Sequence, residues 1–583
     1  MRYVLPAVIV VIGLLVGMFG VLQKTLWAPD DTRTASVQLD EPGPVVVVEP
    51  GVLNLYDTPA TLTATATEPD QEITISRTTK ENADAWVGAS DATRIVGLAE
   101  EEALEARTVT GGEGAPEDAP SDAPSGEATD DAAAEDEAAQ PDPEELATVP
   151  APGGADLWEA TESGEGTASW EFDEDAGRTA FVIGTDGEQP AAAEVAITWP
   201  NDTSTPWALP LMIGGGVIVL IGLGMGFFAF RRAQREQERR SARQERRRKL
   251  AETGSAFAIV PVIALAGCGP AELPQPDPAP APTEAGPAVT NEQVMSVLDE
   301  IRSTVSGADE DLDAEALEER ASGPFLEQRT AAYDVKDSAE DFELPPAIAD
   351  GEMVVNFTAA TDTWPRATSV IVEDSETEQT QLLVLTQSDA RDDYTVWSQT
   401  VLQPGAEIPE IADPREGSAL VGPAASGYRL PPEEVAGAYA DVLSQGDEAD
   451  SAGAFADDAF VSQVRSNQSS QREELQSGGA EVSFSYEGDD SQITAMEAAD
   501  GSAVVTGVVE AESTISPDST ESTTGTLTIP SPAADVVGES ETSEDLSQTS
   551  MVVATWVVPA GEDDPIRLVG VNEVFTGASL GEG

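Results

Sequence analysis

Two long runs of apolar residues are the first pattern in the chain. One covers residues 3–22 and the other covers residues 207–230. A helix rises about 1.5 Å per residue, so about 20 apolar residues cross a hydrocarbon core of about 30 Å. Each run has that length. The pattern therefore predicts two transmembrane helices, with residues 1–2 as a short segment before the first.

The charges after the second run predict the orientation of both helices. Residues 231–249 read RRAQREQERRSARQERRRK and hold ten basic and three acidic side chains. Loops rich in Lys and Arg stay on the cytoplasmic side, so we expect this segment and residues 1–2 in the cytoplasm and residues 23–206 outside. The first run could instead be a cleaved signal peptide, but no small-residue cleavage site follows it, which favours a retained helix.

Both apolar runs contain a pair of glycines spaced four residues apart. Gly13 precedes Gly17, and Gly222 precedes Gly226. Such pairs leave one helix face without side chains and allow another helix to approach closely. We therefore expect these four glycines to pack the two helices together, although glycine is also simply common in membrane helices.

A third apolar run lies in residues 255–268 and is too short to cross a bilayer easily. It ends in Leu265, Ala266, Gly267 and Cys268, where Cys268 is the single cysteine of the chain. With the basic segment before it, this run resembles a bacterial lipoprotein signal with its lipobox. The resemblance implies cleavage before Cys268 and lipidation of that residue. The alternative is an uncleaved third membrane segment, and either case places residues 269–583 outside the cytoplasm.

Alternating Thr and Val positions predict a small all-β outer domain in two pieces, residues 36–110 and 155–200. Between them, residues 111–154 are acidic, contain one leucine and no aromatic residue, and predict a disordered linker. The domain also contains four tryptophans that could stack on glycans or fill the core, and the core is the commoner role. These are Trp86, Trp158, Trp170 and Trp199.

The C-terminal half shows an internal duplication after a Pro-rich tether at residues 269–288. The two units cover residues 289–425 and 426–583, and each has a helical pattern followed by a strand, an acidic turn and a second strand. The acidic turns contain Asp392-Asp393 and Asp563-Asp564. This order predicts a tandem α+β repeat, similar to the cone-shaped fold of nuclear-transport-factor-like domains. The predicted fold class is a multi-domain membrane protein.

Three segments carry a resemblance to a protein family: MRYVLPAVIVVIGLLVGMFGVLQKTLWAP at the start, ADAWVG, and ITWPNDTSTPWALPL before the second helix. They resemble an uncharacterised family of actinobacterial two-helix cell-envelope proteins. The likeness covers most of residues 1–230, while the C-terminal half resembles lipoproteins with a domain of unknown function. The resemblance implies a plasma-membrane location and no particular activity.

The charge of the chain limits its possible partners. Asp and Glu number 108 against 29 Lys and Arg, which gives a formal net charge of −79. This charge repels phosphate backbones, so we expect no nucleic-acid partner. The sequence Asp309-x-Asp311-x-Asp313 begins like a calcium loop but lacks the glycine and the final glutamate of that motif. We therefore predict no metal and no cofactor.

The chain contains no histidine, which excludes Ser-His-Asp and Cys-His catalytic pairs. We predict no catalytic residue and a non-enzymatic, membrane-anchored envelope protein with a structural or binding role toward an envelope protein or a wall polymer. A carboxylate-dependent glycan hydrolase is one alternative, because it needs only two carboxylates at a set separation. An accessory subunit of an envelope transport or secretion complex is the other.

Overall fold

The computed structural model describes residues 4–39, 43–109, 151–174, 177–187, 190–240, 273–283, 285–375, 377, 379–410, 412, 416–517, 519–520 and 523–581. The lipobox residues Leu265 to Cys268 lie outside this part of the chain. So do residues 1–2, nearly all of the predicted linker and the second half of the basic segment.

The described residues form nine α-helices. They are α1 (Val4–Thr25), α2 (Lys80–Val87), α3 (Ala208–Arg240), α4 (Asn291–Asp311), α5 (Ala314–Leu317), α6 (Gly323–Ser338), α7 (Pro432–Gln445), α8 (Ala459–Gly478) and α9 (Ala533–Val537).

Twenty-two strands accompany these helices in the described residues. They are β1 (Thr32–Gln38), β2 (Val45–Val48), β3 (Ala60–Thr65), β4 (Glu72–Thr79), β5 (Ala92–Glu100), β6 (Ala103–Val109), β7 (Ala160–Glu165), β8 (Thr167–Phe172), β9 (Thr179–Gly184), β10 (Glu194–Pro200), β11 (Met353–Thr358), β12 (Arg366–Glu373), β13 (Thr380–Gln387), β14 (Thr395–Leu402), β15 (Ala480–Glu497), β16 (Ala503–Pro517), β17 (Ser519–Thr520), β18 (Thr523–Thr524), β19 (Leu527–Thr528), β20 (Glu541–Thr542), β21 (Leu546–Val558) and β22 (Arg567–Leu580).

Helices α1 and α3 form an antiparallel pair. Helix α1 and the Ala208–Arg232 part of α3 are long and apolar enough to cross a membrane. Gly20 lies against Ala208 at one end of the pair, and Pro6 lies against Gly226 near the other. Their outer faces expose large apolar side chains, as lipid contact requires. The prediction of two apolar helices that could span a membrane is confirmed.

Residues 32–200 build one β-rich domain, here called the β domain. Its ten-stranded sheet has the order β7-β4-β9-β2-β5-β6-β1-β10-β3-β8, so strands from both sides of residues 110–150 share it. The edge strands β7 and β8 are joined by Gly166 alone, which has a φ of +69°. Because successive strands lie at opposite edges, the sheet curls into a barrel-like form. Of the four tryptophans, Trp86, Trp158 and Trp199 are buried and Trp170 is half-buried, so their role here is packing.

Residues 287–581 form a second β-rich body, here called the α+β body. The first unit places α4, α5 and α6 before the strand meander β11-β12-β13-β14, and the second places α7 and α8 before β15-β16-β21-β22. Small elements β17 to β20 and α9 are inserted between β16 and β21. The acidic turns predicted from the sequence lie between β13 and β14 and between β21 and β22. The nuclear-transport-factor-like comparison itself stays a prediction.

The two units share one eight-stranded sheet. Their last strands pair antiparallel, with Val401 opposite Val571 and Leu402 opposite Gly570. Helix α6 of the first unit also packs on the second, where Gln328 Nε2 donates to the Met551 carbonyl oxygen at 2.9 Å. The two units are therefore one folded body with a continuous sheet.

Candidate functional site

A polar cavity of about 200 Å³ lies in the second α+β unit, between α8 and the sheet. Helix α8 supplies Val464, Asn467, Gln468 and Gln471. These positions are spaced i, i+3, i+4 and i+7, so they share one face of the helix. The helix begins at the cap Asp458, whose carboxylate accepts a hydrogen bond from the Val461 backbone at 2.7 Å, and this cap fixes where the face starts.

The floor of the cavity comes from four neighbouring strands. Side chains alternate between the two faces of a strand, so one row of paired residues faces α8. The register places Tyr486 of β15 opposite Ala511, Ala511 opposite Ser550, and Ser550 opposite Phe575 of β22. An adjacent row contains Phe484, Ser513 and Gln548. Both rows line the cavity and give it aromatic rings beside amides and hydroxyls.

Glu573 supplies the carboxylate of the cavity. It follows Val571 on β22 by two residues and therefore faces the same side of the sheet as Val571, which belongs to the core under the helices. Protein atoms around it displace water, and this desolvation raises the pKa of Glu573 above its ordinary value. The side chain stays accessible from the cavity mouth but has no hydrogen-bond or ion-pair partner among the described residues.

Two further side chains hold the cavity in shape. Buried Gln468 donates from Nε2 to the Tyr486 hydroxyl at 3.1 Å and to the Leu443 carbonyl oxygen at 3.3 Å. Desolvation by the surrounding protein raises the pKa of Tyr486, and the nearby Glu573 charge adds to the shift. Tyr486 is therefore a neutral hydrogen-bonding group at ordinary pH.

A second carboxylate, Glu512, reaches the edge of the cavity but does not face Glu573. Glu512 lies between Ala511 and Ser513 on β16, so its side chain points to the opposite face of the sheet. There it accepts a hydrogen bond from Ser547 Oγ at 2.9 Å. The cavity thus holds one inward carboxylate. A carboxylate-dependent glycan hydrolase, the alternative considered from the sequence, needs two carboxylates that face each other.

The lining also carries amides and aromatic rings that can contact a ligand. Asn467, Gln471 and Gln548 each carry an amide that both donates and accepts, and none of the three forms a side-chain hydrogen bond with another described residue. Phe484 and Phe575 add ring surface. In the described part of the chain, no group of three or more Asp, Glu or Cys side chains is arranged to hold a metal ion.

The glycines predicted to pack the helices fall at the α1–α3 contact. A Cβ atom added to Gly13 would lie 2.7 Å from the Val219 backbone nitrogen, and one added to Gly222 would lie 2.7 Å from Val10 Cγ2. Gly17 and Gly226 have looser surroundings, with nearest atoms at 3.9 and 3.8 Å from an added Cβ. Cys268 and the rest of the lipobox are outside the described residues.

Two glycines and the cavity carboxylate were missed by the sequence reasoning. Gly20 and Gly215 approach the partner helix as closely as Gly13 does, with an added Cβ on Gly20 at 2.7 Å from the Ala208 carbonyl oxygen. Gly20 follows Gly13 by seven residues, so a heptad search would have found it. No local sequence signal marks Glu573, because its position depends on the register of three strand pairs.

Comparison with known proteins gives one finding on the α+β body. A family model described as a domain of unknown function (DUF8094) matches residues 285–579. The match begins just before α4 and ends in β22, so both units and their shared sheet fall within one family domain. No curated protein and no solved structure matches the chain.

Proposed function

Since the chain belongs to the DUF8094 family of unknown function, we propose its function from the cavity: it is a membrane-anchored envelope protein that binds a carbohydrate. The cavity beneath α8 is the proposed site, and the ligand is one sugar ring, such as a terminal residue or branch of a wall polymer. The chain acts as a binding protein and not as an enzyme.

The unpaired carboxylate of Glu573 is the observation that carries this proposal. The Glu573 carboxylate is reached by water from the cavity mouth and is partly desolvated by the surrounding protein, so a ligand hydroxyl can take the place of that water and donate to a charged acceptor. The amides of Asn467, Gln471 and Gln548 need both donors and acceptors, which each sugar hydroxyl supplies. The Phe484 ring has the Arg472 guanidinium carbon 4.9 Å from its centroid, so the apolar face of a sugar would pack beside that cation or on the opposite face of the ring. A volume of about 200 Å³ suits a single ring better than a long ligand.

The helix pair supports a membrane location. The chain enters and leaves the β domain at Thr25 and Ala208, which lie at the same end of the pair, so that domain lies on one side of the proposed membrane. The Arg-rich end of α3 lies at the opposite end, as expected for a cytoplasmic terminus. We propose the plasma membrane, with residues 23–206 and 269–583 outside the cytoplasm.

The alternatives have less support. A glycan hydrolase needs a second carboxylate facing Glu573, and Glu512 points away from it. An accessory role in an envelope transport or secretion complex stays a prediction, because no contact in the described residues points to such a partner.

Binding is tested with the full chain in detergent and four free sugars: glucose, galactose, mannose and N-acetylglucosamine. Saturation-transfer NMR detects weak binding, and competition gives the affinity. We expect at least one sugar to bind. Glu573→Gln should lower its affinity about tenfold, because a hydrogen bond to a charged group contributes about 1.5–3 kcal/mol. Ser550→Leu should abolish binding by filling the cavity.

Glu510→Gln is the matched control, since Glu510 is an exposed carboxylate on the outward face of β16. It should bind as the unmodified chain does. The proposal fails if none of the four sugars binds, or if Glu573→Gln and Ser550→Leu bind as well as Glu510→Gln.

A further inference from the structure

The β domain contacts the first α+β unit through an interface of hydrogen-bonded and packed side chains. Arg391, in the turn between β13 and β14, donates from Nε to the Trp86 carbonyl oxygen at 2.9 Å and from Nη2 to the Val87 carbonyl oxygen at 3.0 Å. These two carbonyls are in the last turn of α2, where backbone acceptors lack helical partners. Nη2 also donates to Ser90 Oγ at 2.8 Å. The guanidinium of one domain thus caps a helix of the other.

A second arginine of the α+β body crosses the same interface. Arg366 is 2% exposed and donates from Nη2 to Asn82 Oδ1 of α2 at 2.8 Å. Its guanidinium stacks on Trp364, with 3.7 Å from the guanidinium carbon to the ring centroid. Trp364 and Ala390 pack in turn against a β-domain core that includes Trp86 and Trp158. The contact is therefore apolar at its centre as well as charged.

A buried ion pair forms a third contact. Asp156 of the β domain binds Arg320 Nη1 and accepts a hydrogen bond from the Tyr394 backbone nitrogen at 2.8 Å. Gln293 Nε2 of α4 donates to the Asp156 carbonyl oxygen at 3.1 Å. Helix α4 and two connecting segments of the α+β body therefore converge on one β-domain residue.

The segment predicted as a free tether adds to this interface. Leu273 packs against the β-domain core. The Ala279 backbone nitrogen donates to the Gly177 carbonyl oxygen at 3.2 Å, and Arg178 Nη1 donates to the Ala279 carbonyl oxygen at 3.4 Å. Residues 273–279 therefore lie along the β domain instead of projecting away from it.

The described residues on either side of the peptide connection between the two parts lie far apart. Helix α3 leaves the β domain at Ala208 and ends at Arg240, about 50 Å away for 33 residues at the usual helical rise. The chain is back at the β domain by Leu273. The interface contacts above are all formed by described residues on either side of residues 241–272.

We propose that this interface is a subunit interface: residues 4–240 and residues 273–581 stay bound as a two-chain complex when the connection between them is cut. The partner of the β domain is the arginine-rich edge of the α+β body, formed by Arg320, Arg366 and Arg391. The α+β body is held at the membrane by this docking as well as by the peptide chain. None of the interface residues named above lines the cavity beneath α8.

The test uses the full chain in detergent with a recognition site for a sequence-specific protease inserted between Gly254 and Ser255. The N-terminus carries an affinity tag. After the folded protein is cut and washed at low concentration, we expect the C-terminal piece to stay on the resin. Replacing Arg320, Arg366 and Arg391 together by Ala should raise the dissociation constant at least tenfold and release the piece.

Arg429→Ala is the matched control, because Arg429 also donates to backbone carbonyls, those of Glu562 at 2.8 Å and Gly453 at 3.0 Å, but within the second unit. It should leave the pieces associated. Separation of the unmodified pieces on cutting would overturn the proposal. Retention of the triple variant, with circular dichroism unchanged, would show that these arginines do not form the interface.

Discussion

Arg320 of the α+β body and Asp156 of the β domain form an ion pair that is buried on both sides. The exposed fractions of the two side chains are 9% and 5%. Arg320 also binds Glu300 and lies 3.6 Å from Asp393, so one guanidinium faces three carboxylates. Truncating either partner of such a pair leaves the other charge buried, which makes this contact sensitive to any change in charge.

The pH dependence of docking follows from Asp156. Desolvation raises the pKa of Asp156 to about 6, because the loss of water outweighs the attraction of Arg320 and the neighbouring Asp393 adds repulsion. In the separated β domain this carboxyl group would titrate near its usual value of about 4. The docked state therefore holds the proton more tightly. This contribution to docking is full below about pH 4 and is lost as the pH rises through about 6.

We therefore expect the two cut pieces to bind between about tenfold and a hundredfold more tightly at pH 4.5 than at pH 7.5. Titration of one piece into the other at both pH values measures the ratio. Asp156→Asn should reduce this ratio of affinities, because only the remaining carboxylates would then contribute to it. An unchanged ratio in this variant would mean that Asp156 does not titrate in this range.

Glu573 predicts a second pH effect, on the stability of the α+β body. Desolvation raises the pKa of Glu573 in the folded chain, so the folded state is favoured below the unfolded value and loses this contribution as the pH rises through the folded value. Glu573→Gln removes the penalty of the charged form. Scanning calorimetry gives the Tm of this variant and of the unmodified chain. The difference, variant minus unmodified chain, should be more positive at pH 8 than at pH 4.5. Equal differences at both pH values would contradict the assignment.

The sequence predicted elements better than it predicted sites. The spacing of Thr290 and Gln293 predicts a capping box, and the structure contains it, because both partners lie within one turn. The acidic turns also lie between paired strands as expected. Glu573, by contrast, is one of 108 acidic residues, and only the register of distant strands and the position of α8 separate it from the others. Arg391 meets α2 across more than 300 residues, and no local pattern encodes such a contact.

The helix pair gives a prediction with two adjacent glycines. A Cβ atom on Gly215 would meet the Gly17 backbone and lie 2.7 Å from the Gly13 carbonyl oxygen, whereas one on Gly216 has nothing within 4 Å. Gly215→Ala should therefore separate α1 from α3. Gly216→Ala should leave the two helices in contact and at most stabilise α3 slightly, because alanine favours a helix more than glycine does.

A disulfide reports on that separation. A Cβ on Gly226 would lie 3.8 Å from Pro6 Cβ, which is the usual spacing across a disulfide. In a Cys268→Ser background, Pro6→Cys with Gly226→Cys should cross-link on mild oxidation. Adding Gly215→Ala should lower the yield severalfold, and adding Gly216→Ala should not. The helix contact is wrong if both additions behave alike.

The shared sheet of the two units gives the last prediction. The Thr555 hydroxyl of β21 lies 3.1 Å from the Thr400 hydroxyl of β14 and 2.9 Å from that of Thr506 in β16, and Thr400 belongs to the other unit. All three side chains are buried. Thr555→Val keeps the shape but leaves two buried hydroxyls without this partner, at a cost of about 1–3 kcal/mol.

Hydrogen exchange measured by mass spectrometry on peptides from β14 and β21 reports the local opening of this sheet. We expect Thr555→Val to accelerate exchange in both strands about tenfold or more, because the lost hydrogen bonds connect the two units. Thr549→Val on the same strand is the control, since Thr549 is exposed and should change exchange little. Faster exchange in β21 alone would mean that the two units open independently, and that the pairing of β14 with β22 does not couple them.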